Sequence, residues 1–192
     1  HGRRYGASPE QYARVIAAAR DHLPPDREPQ RVVIASARPD RAVVGLAMGV
    51  AAALAAEGGR VVLVDAQLER PTLTLRLGGL TRAGLADVGA GRAALADVLR
   101  RPSRLRFAWA ARRTLRRGEG ELRFVPAGRP RRGDQVVPLE ALDVLDDDVY
   151  VVVLAPPSSG EVPIAPVLGW GDAVVLGLVE GRTVTFDAED AA

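Results

Sequence analysis

Three short runs decide most of what this chain can fold into: RVVIAS at 31–36, RVVLVDA at 60–66 and YVVVL at 150–154. The second is near-continuously apolar rather than alternating, as a parallel strand covered on both faces must be. Between the first two runs lies a long Ala-rich helical stretch, Val43–Glu57, closed by Gly58-Gly59. Two more strands are expected, at Leu122–Pro126 and at DAVVLGLVE (172–180), with shorter helices at Thr72–Leu77, Ala93–Leu99 and Pro138–Leu145. Upstream, Ser8–His22 places Tyr12, Val15, Ile16 and Ala19 on one helical face, with Ser8 as N-cap and Pro9 at the first helical position. The segment LPPDREPQ then breaks that helix. Strands alternating with helices predict an α/β fold, a doubly wound, mostly parallel sheet with helices on both faces. The expected organisation is an N-terminal helix and linker over 1–30, the α/β domain over 31–185 and a tail over 186–192.

Composition narrows the chemistry. A chain of 192 residues that is 47% hydrophobic supports one sizeable core. It has no cysteine, which excludes disulfides and thiolate metal sites, and its two histidines, His1 and His22, offer little for zinc or a triad. All 26 basic residues are arginine, so no lysine ammonium serves any catalytic role. The net charge of +2 does not call for nucleic acid. The longest uncharged apolar run, Ala42–Ala56, is shorter than the roughly 20 residues of a membrane span. A cytoplasmic location is therefore the expectation. His1 stands where a natural chain has methionine, so the natural protein is expected to extend upstream.

The stretch SARPDRAVVGLAMG (36–49) joins the first strand to the long helix, where a phosphate-binding loop sits in nucleotide-binding α/β proteins. Such a loop uses glycines to turn backbone N–H groups inward, a lysine to bridge phosphates, a hydroxyl to hold magnesium and a helix N-terminus to favour the anion. Here the place of an anion site is kept and its side-chain chemistry is missing.

The series of motifs resembles the cytoplasmic domain of bacterial tyrosine kinases, the BY-kinases of capsule and exopolysaccharide synthesis, within the deviant P-loop ATPases. On the family pattern S-A-x-P-G-E-G-K-S-T, Ser36, Ala37 and Pro39 match. Asp40 and Ala42 replace the two glycines, Arg41 the acidic residue, Val43 the lysine and Val44 the magnesium-binding hydroxyl residue. RVVLVDAQLERP resembles the motif ending D-A-D-L-R-R-P: Asp65 matches the first aspartate, Gln67 replaces the second, and Glu69 replaces an arginine. GLADVGAGRAALADVL, FVPAGRPRR and YVVVLAPPSSG resemble three further segments, the last with Leu154 at the Walker B aspartate position. EQYARVIAAAR resembles the N-terminal E-x-x-R-x-x-R helix, with Ala13 and Ile16 in place of its arginines. Tyr5, Tyr12 and Tyr150 form no acceptor cluster like the family's tail.

What the resemblance implies is a P-loop NTPase-like fold whose nucleotide residues are lost together: a pseudokinase with no catalytic residue, no cofactor and no metal. It would act as scaffold or regulator beside a membrane chain-length or export protein, on the cytosolic side of an inner-membrane complex, with homo-oligomers open to it. Two alternatives stay open. One is residual ATP binding, with Arg38 or Arg41 reaching a phosphate in place of lysine. The other is a septum- or partition-type ATPase relative that binds DNA or membrane.

Three other features admit two readings each. The arginines of RRPSRLRFAWAARRTLRR (100–117), among them Arg112, Arg113, Arg116 and Arg117, are either a partner contact for an acidic surface or a solvated segment. DVLDDDVY (143–150) is either a cation site or, more economically, a solvated turn before a strand. Asp65 is either a remnant base or a hydrogen-bonded cap for the loop that follows it. Val167, Leu168 and Trp170 are expected in core or interface, and Gly128–Asp134 as a surface loop.

Overall fold

The computed structural model describes residues 9–24, 28, 30–78, 83–102, 120–129 and 136–178. Among the described residues five strands form one sheet: β1 (Arg31–Ala35), β2 (Arg60–Asp65), β3 (Glu121–Val125), β4 (Val149–Leu154) and β5 (Ala173–Leu176). All pairings are parallel and the order is β3-β2-β4-β1-β5. Among the described residues six α-helices accompany them: α1 (Pro9–Asp21), α2 (Arg41–Ala56), α3 (Thr72–Leu77), α4 (Leu85–Gly89), α5 (Leu95–Val98) and α6 (Ala165–Trp170).

Alternation along each strand divides the core in two. Val32 and Ile34 of β1, Val61 and Leu63 of β2, and Val152 and Leu154 of β4 pack with α1, α2 and α3. Val33 and Ala35, Val62 and Val64, and Val151 and Val153 face the other way, toward α4, α5 and α6. The central strands are therefore apolar at successive positions because both their faces are covered.

Residues of α2 from Val43 to Ala55 are mostly buried, and their small side chains let neighbours come close. At Gly49 a Cβ would lie 2.1 Å from the Tyr12 ring, so α1 docks on α2 through that bare position. Tyr12 and Ile16 are both buried there. Arg20, in the last turn of α1, pairs with Glu28 at 2.8 Å and Glu57 at 3.0 Å. Gly58 takes the left-handed conformation (φ 96°) that ends α2.

Several boundaries differ from the sequence expectation. Helix α2 starts two residues early, at Arg41, because Asp40 caps it. The helix expected over Pro138–Leu145 is a 3₁₀ turn over Leu139–Leu142 that anchors Leu139 and Leu142 in the core. The expected Ala93–Leu99 helix is reduced to α5, and β5 is described over Ala173–Leu176. Helices α4 and α6 were not expected from the sequence. The N-cap expected at Ser8, and Val179 and Glu180 of the expected fifth strand, lie outside the described residues.

From the neighbouring strands β1 and β4 the chain leaves in opposite directions, through α2 on one face and α6 on the other. Such a divergence opens a crevice at the C-terminal ends of the strands, where ligands bind in open α/β sheets.

Candidate functional site

The loop after β1 is held by its own side chains and by the loop after β4. Ser36 Oγ donates to the Arg38 carbonyl at 3.0 Å. The Ser158 and Ser159 amides donate to the carbonyls of Ser36 and Ala37, each at 3.1 Å. Asp40 has extended backbone, and its carboxylate accepts the Ala42 amide at 2.7 Å. A protein carboxylate thus stands at the N-terminus of α2, where such a loop would receive an anion. Arg38, Pro39, Arg41 and Ala42 are exposed, whereas Val43 and Val44 are each only 3% exposed. Val43 packs close to Gly177, just beyond β5.

The loop after β2 is organised by Asp65, which is fully buried. Its carboxylate accepts the Gln67 amide at 3.1 Å and the Thr74 amide at 2.7 Å. Burial pushes the carboxyl up from 3.8 to about 6, against hydrogen bonds from Thr74, Gln67 and Leu73 that favour its charge. The Thr74 hydroxyl also accepts the Ala127 amide at 2.9 Å, which ties the loop after β3 to α3. Buried Gln67 donates to the Ala155 carbonyl at 3.0 Å and accepts from the Thr72 hydroxyl. Asp65 therefore serves as the cap of its loop. Beside it in register, Leu154 is fully buried among the apolar residues of β1, β2 and α2.

Asp87, in α4, gathers the amides of Gly84 at 3.0 Å and Arg129 at 3.1 Å, together with the Arg92 guanidinium at 3.0 Å. Burial opposes its charge, and these donors outweigh burial and hold it below the ordinary carboxylate value. It clips α4 to the loop after β3.

Two depressions flank the β1–α2 loop. A cleft of about 220 Å³ opens between Pro39, Glu69 and Arg70 after β2, and Ser159 and Glu161 after β4. A shallower groove of about 410 Å³ runs between α2 and α3, with Val44, Thr72 and Leu75 along it and Arg41 and Arg76 at its sides.

No family model and no curated protein matches the sequence. Solved structures do match. The BceF tyrosine kinase domain is 21% identical over 95% of this chain and 69% of its own, with a TM-score of 0.65. The kinase domain of the Escherichia coli tyrosine kinase ETK is 19% identical over 94% of this chain and 67% of its own, with a TM-score of 0.70. Cobyrinic acid a,c-diamide synthase from Mycobacterium smegmatis, with bound ADP and magnesium, is 22% identical over 83% and 65%, with a TM-score of 0.54. The chain has a P-loop NTPase-like fold.

Within this P-loop NTPase-like fold, the structure brings Ser36, Pro39, Asp40, Arg41, Ala42, Val43, Val44, Asp65 and Leu154 to one end of the sheet. Arg112, Arg113, Arg116 and Arg117 lie outside the described residues. Of that arginine segment, Arg100 forms an antiparallel bridge to Phe124 on the outer edge of β3, and Arg101 lies 3.9 Å from Glu121. The acidic turn before β4 is ion-paired: Asp143 with Arg31 at 2.9 Å, and Asp146 and Asp148 with Arg60 at 3.1 and 2.9 Å. Trp170 carries Arg31 over its ring at 4.6 Å and donates to Asp143, while Val167 is buried. Sequence reasoning passed over Thr74, Asp87 and the Leu75–Arg76 groove. Each depends on contacts between loops far apart in the chain.

Proposed function

We propose that this chain is a BY-kinase-like domain that has exchanged phosphoryl transfer for binding, and that it serves as a scaffold or regulator in polysaccharide synthesis or export. One observation carries the reading. Val43, Val44 and Leu154, at the positions of the lysine, the magnesium-binding hydroxyl and the Walker B aspartate, are all buried in the apolar core. Phosphoryl transfer rests on positioning and electrostatics, and these side chains supply packing instead. Gln67 at the second aspartate position is spent on Ala155 and Thr72, and Asp40 places a like charge where phosphate would sit.

The structural likeness to the BceF and ETK tyrosine kinase domains, together with the ordered motifs, supports the family and through it the polysaccharide setting. The proposed partners are a membrane chain-length or export protein and copies of the chain itself, at the cytosolic side of the membrane. Among the described residues no helix is long and apolar enough to cross a membrane. No bound nucleotide, metal or nucleic acid is part of the proposed function.

Thermal-shift titration with ATP and Mg²⁺ tests the loss of the nucleotide site. A ligand at about 100 times its Kd stabilises by roughly 2.7 kcal/mol, a shift of several degrees for a domain of this size. The expected result is no saturable shift at millimolar ATP. Saturable stabilisation at sub-millimolar ATP that is lost in Arg38→Ala or Arg41→Ala would establish arginine-based nucleotide binding and overturn the reading.

A further inference from the structure

Asp65 is fully buried and surrounded by donors. Its carboxylate receives the amides of Gln67 at 3.1 Å and Thr74 at 2.7 Å, the Leu73 amide and the Thr74 hydroxyl. A carboxylate only accepts, whereas a protonated carboxyl must also place one O–H. An amide N–H cannot accept that hydrogen bond. Among the groups bonded to Asp65, Thr74 Oγ alone has a lone pair to offer. Thr74 is itself 1% exposed, and its Oγ already accepts the Ala127 amide at 2.9 Å.

The charged groups on the elements around Asp65 are engaged elsewhere or exposed. On β4 its register partner is Leu154, and the strand's titratable residue, Tyr150, sits opposite Val61. On β3, Glu121 and Arg123 pair with each other. On β2, Arg60 pairs with Asp146 and Asp148 beyond the strand's other end. At the start of α2, Asp40 accepts the Ala42 amide and Arg41 is exposed, and Val43–Ala55 carries no charge. Arg76 of α3, and Glu69 and Arg70 in the loop after β2, are exposed. Asp87, clipped to the loop after β3, is held below the ordinary carboxylate value by its amides and Arg92. Burial pushes the Asp65 carboxyl the other way, up to about 6.

We propose that Asp65 and Thr74 form a proton-operated relay between the loops after β2 and β3. A proton from solvent adds to one carboxylate oxygen, and no other covalent bond changes. The new O–H turns to Thr74 Oγ, the Thr74 hydroxyl hydrogen swings away from the carboxylate, and the Ala127 amide shifts with its acceptor. That shift passes to α4, because the Pro126 and Ala127 carbonyls accept the Leu85 and Ala86 amides. The packing there is tight: a Cβ on Gly84 would lie 2.1 Å from the Pro126 carbonyl oxygen. On the other side, the Gln67 amide loses its anionic acceptor, and the Gln67 side chain lines the cleft and holds the Ala155 carbonyl. The two loops and the cleft wall therefore respond to pH together. The relay stands whether or not the cleft binds nucleotide.

Amide ¹⁵N–¹H spectra of the chain, recorded from pH 7.5 to pH 4.5, test it. The expected result is that the amides of Gln67, Thr74 and Ala127 shift with one common midpoint, about 6. Asp65→Asn, which carries an N–H donor where the protonated acid carries O–H, should abolish the titration and hold the Ala127 amide near its low-pH position. Thr74→Val removes the hydroxyl, so the Gln67 amide should still titrate while the Ala127 amide stays flat. Thr74→Ser should keep both, and with Asp65→Asn it carries the test should Thr74→Val fail to fold. His22→Gln, which removes the exposed histidine near the end of α1, should change none of these shifts. An Ala127 amide that does not share the Gln67 midpoint in the wild type overturns the proposal. So does an Ala127 titration that survives in Asp65→Asn or Thr74→Val, or one that disappears in His22→Gln.

Discussion

A carboxylate sealed inside a protein must find donors or give up its charge. Asp65 does some of both. Amides of Gln67 and Thr74 hold it, yet burial still raises its pKa from 3.8 to about 6. Above pH 6 the folded chain carries a desolvated anion that the unfolded chain hydrates freely, so ionised Asp65 costs stability there. Between pH 6 and 4 the folded state binds more protons, and the cost fades as pH falls. In Asp65→Asn this dependence disappears. The stability of wild type relative to that variant, measured by urea unfolding, should therefore rise from pH 7 to pH 4 by up to about 3 kcal/mol. A difference that stays flat with pH would show that Asp65 is not held as described. The cap role was one of two readings open from the sequence. Asp40 was harder to place, because a phosphate loop invites the question of how its charge meets phosphate, whereas the side chain turns to its own helix.

At the scale of elements, the sequence conveyed best those segments whose burial is total. Strands β1, β2 and β4 and helix α2 were legible because nearly every residue in them is apolar. Helix α6 was not, since Pro166 and Gly169 interrupt its composition and only Val167 is deeply buried. Helix α4 is short, and it is fixed largely by the distant loop after β3, whose Pro126 and Ala127 carbonyls accept the Leu85 and Ala86 amides and whose Arg129 amide donates to Asp87. The docking of α1 on α2 also depends on a distant pair, Tyr12 over Gly49. Gly→Ala in a free helix would stabilise by up to about 1 kcal/mol. Here Gly49→Ala should destabilise by about 1–3 kcal/mol through overpacking, with faster proteolysis within α1. A neutral or stabilising effect in urea unfolding would mean that α1 is not seated against α2.

Over the whole molecule, the alternation of strands and helices predicted the layered α/β fold, whereas the strand order β3-β2-β4-β1-β5 had no local signature. That order is set by pairings between segments about a hundred residues apart, such as Val61 with Tyr150 and Val33 with Val153. It also creates the crevice at the ends of β1 and β4, beside which Val43, Val44 and Leu154 are buried in the core, and the proposed loss of phosphoryl transfer rests on that burial. Phosphoryl transfer itself is the most direct test. The purified chain should be incubated with ATP and Mg²⁺, and both phosphate release and phosphotyrosine on Tyr5, Tyr12 and Tyr150 measured. The account predicts no release above buffer and no phosphotyrosine. Turnover that Asp65→Asn abolishes while the variant remains folded would contradict it.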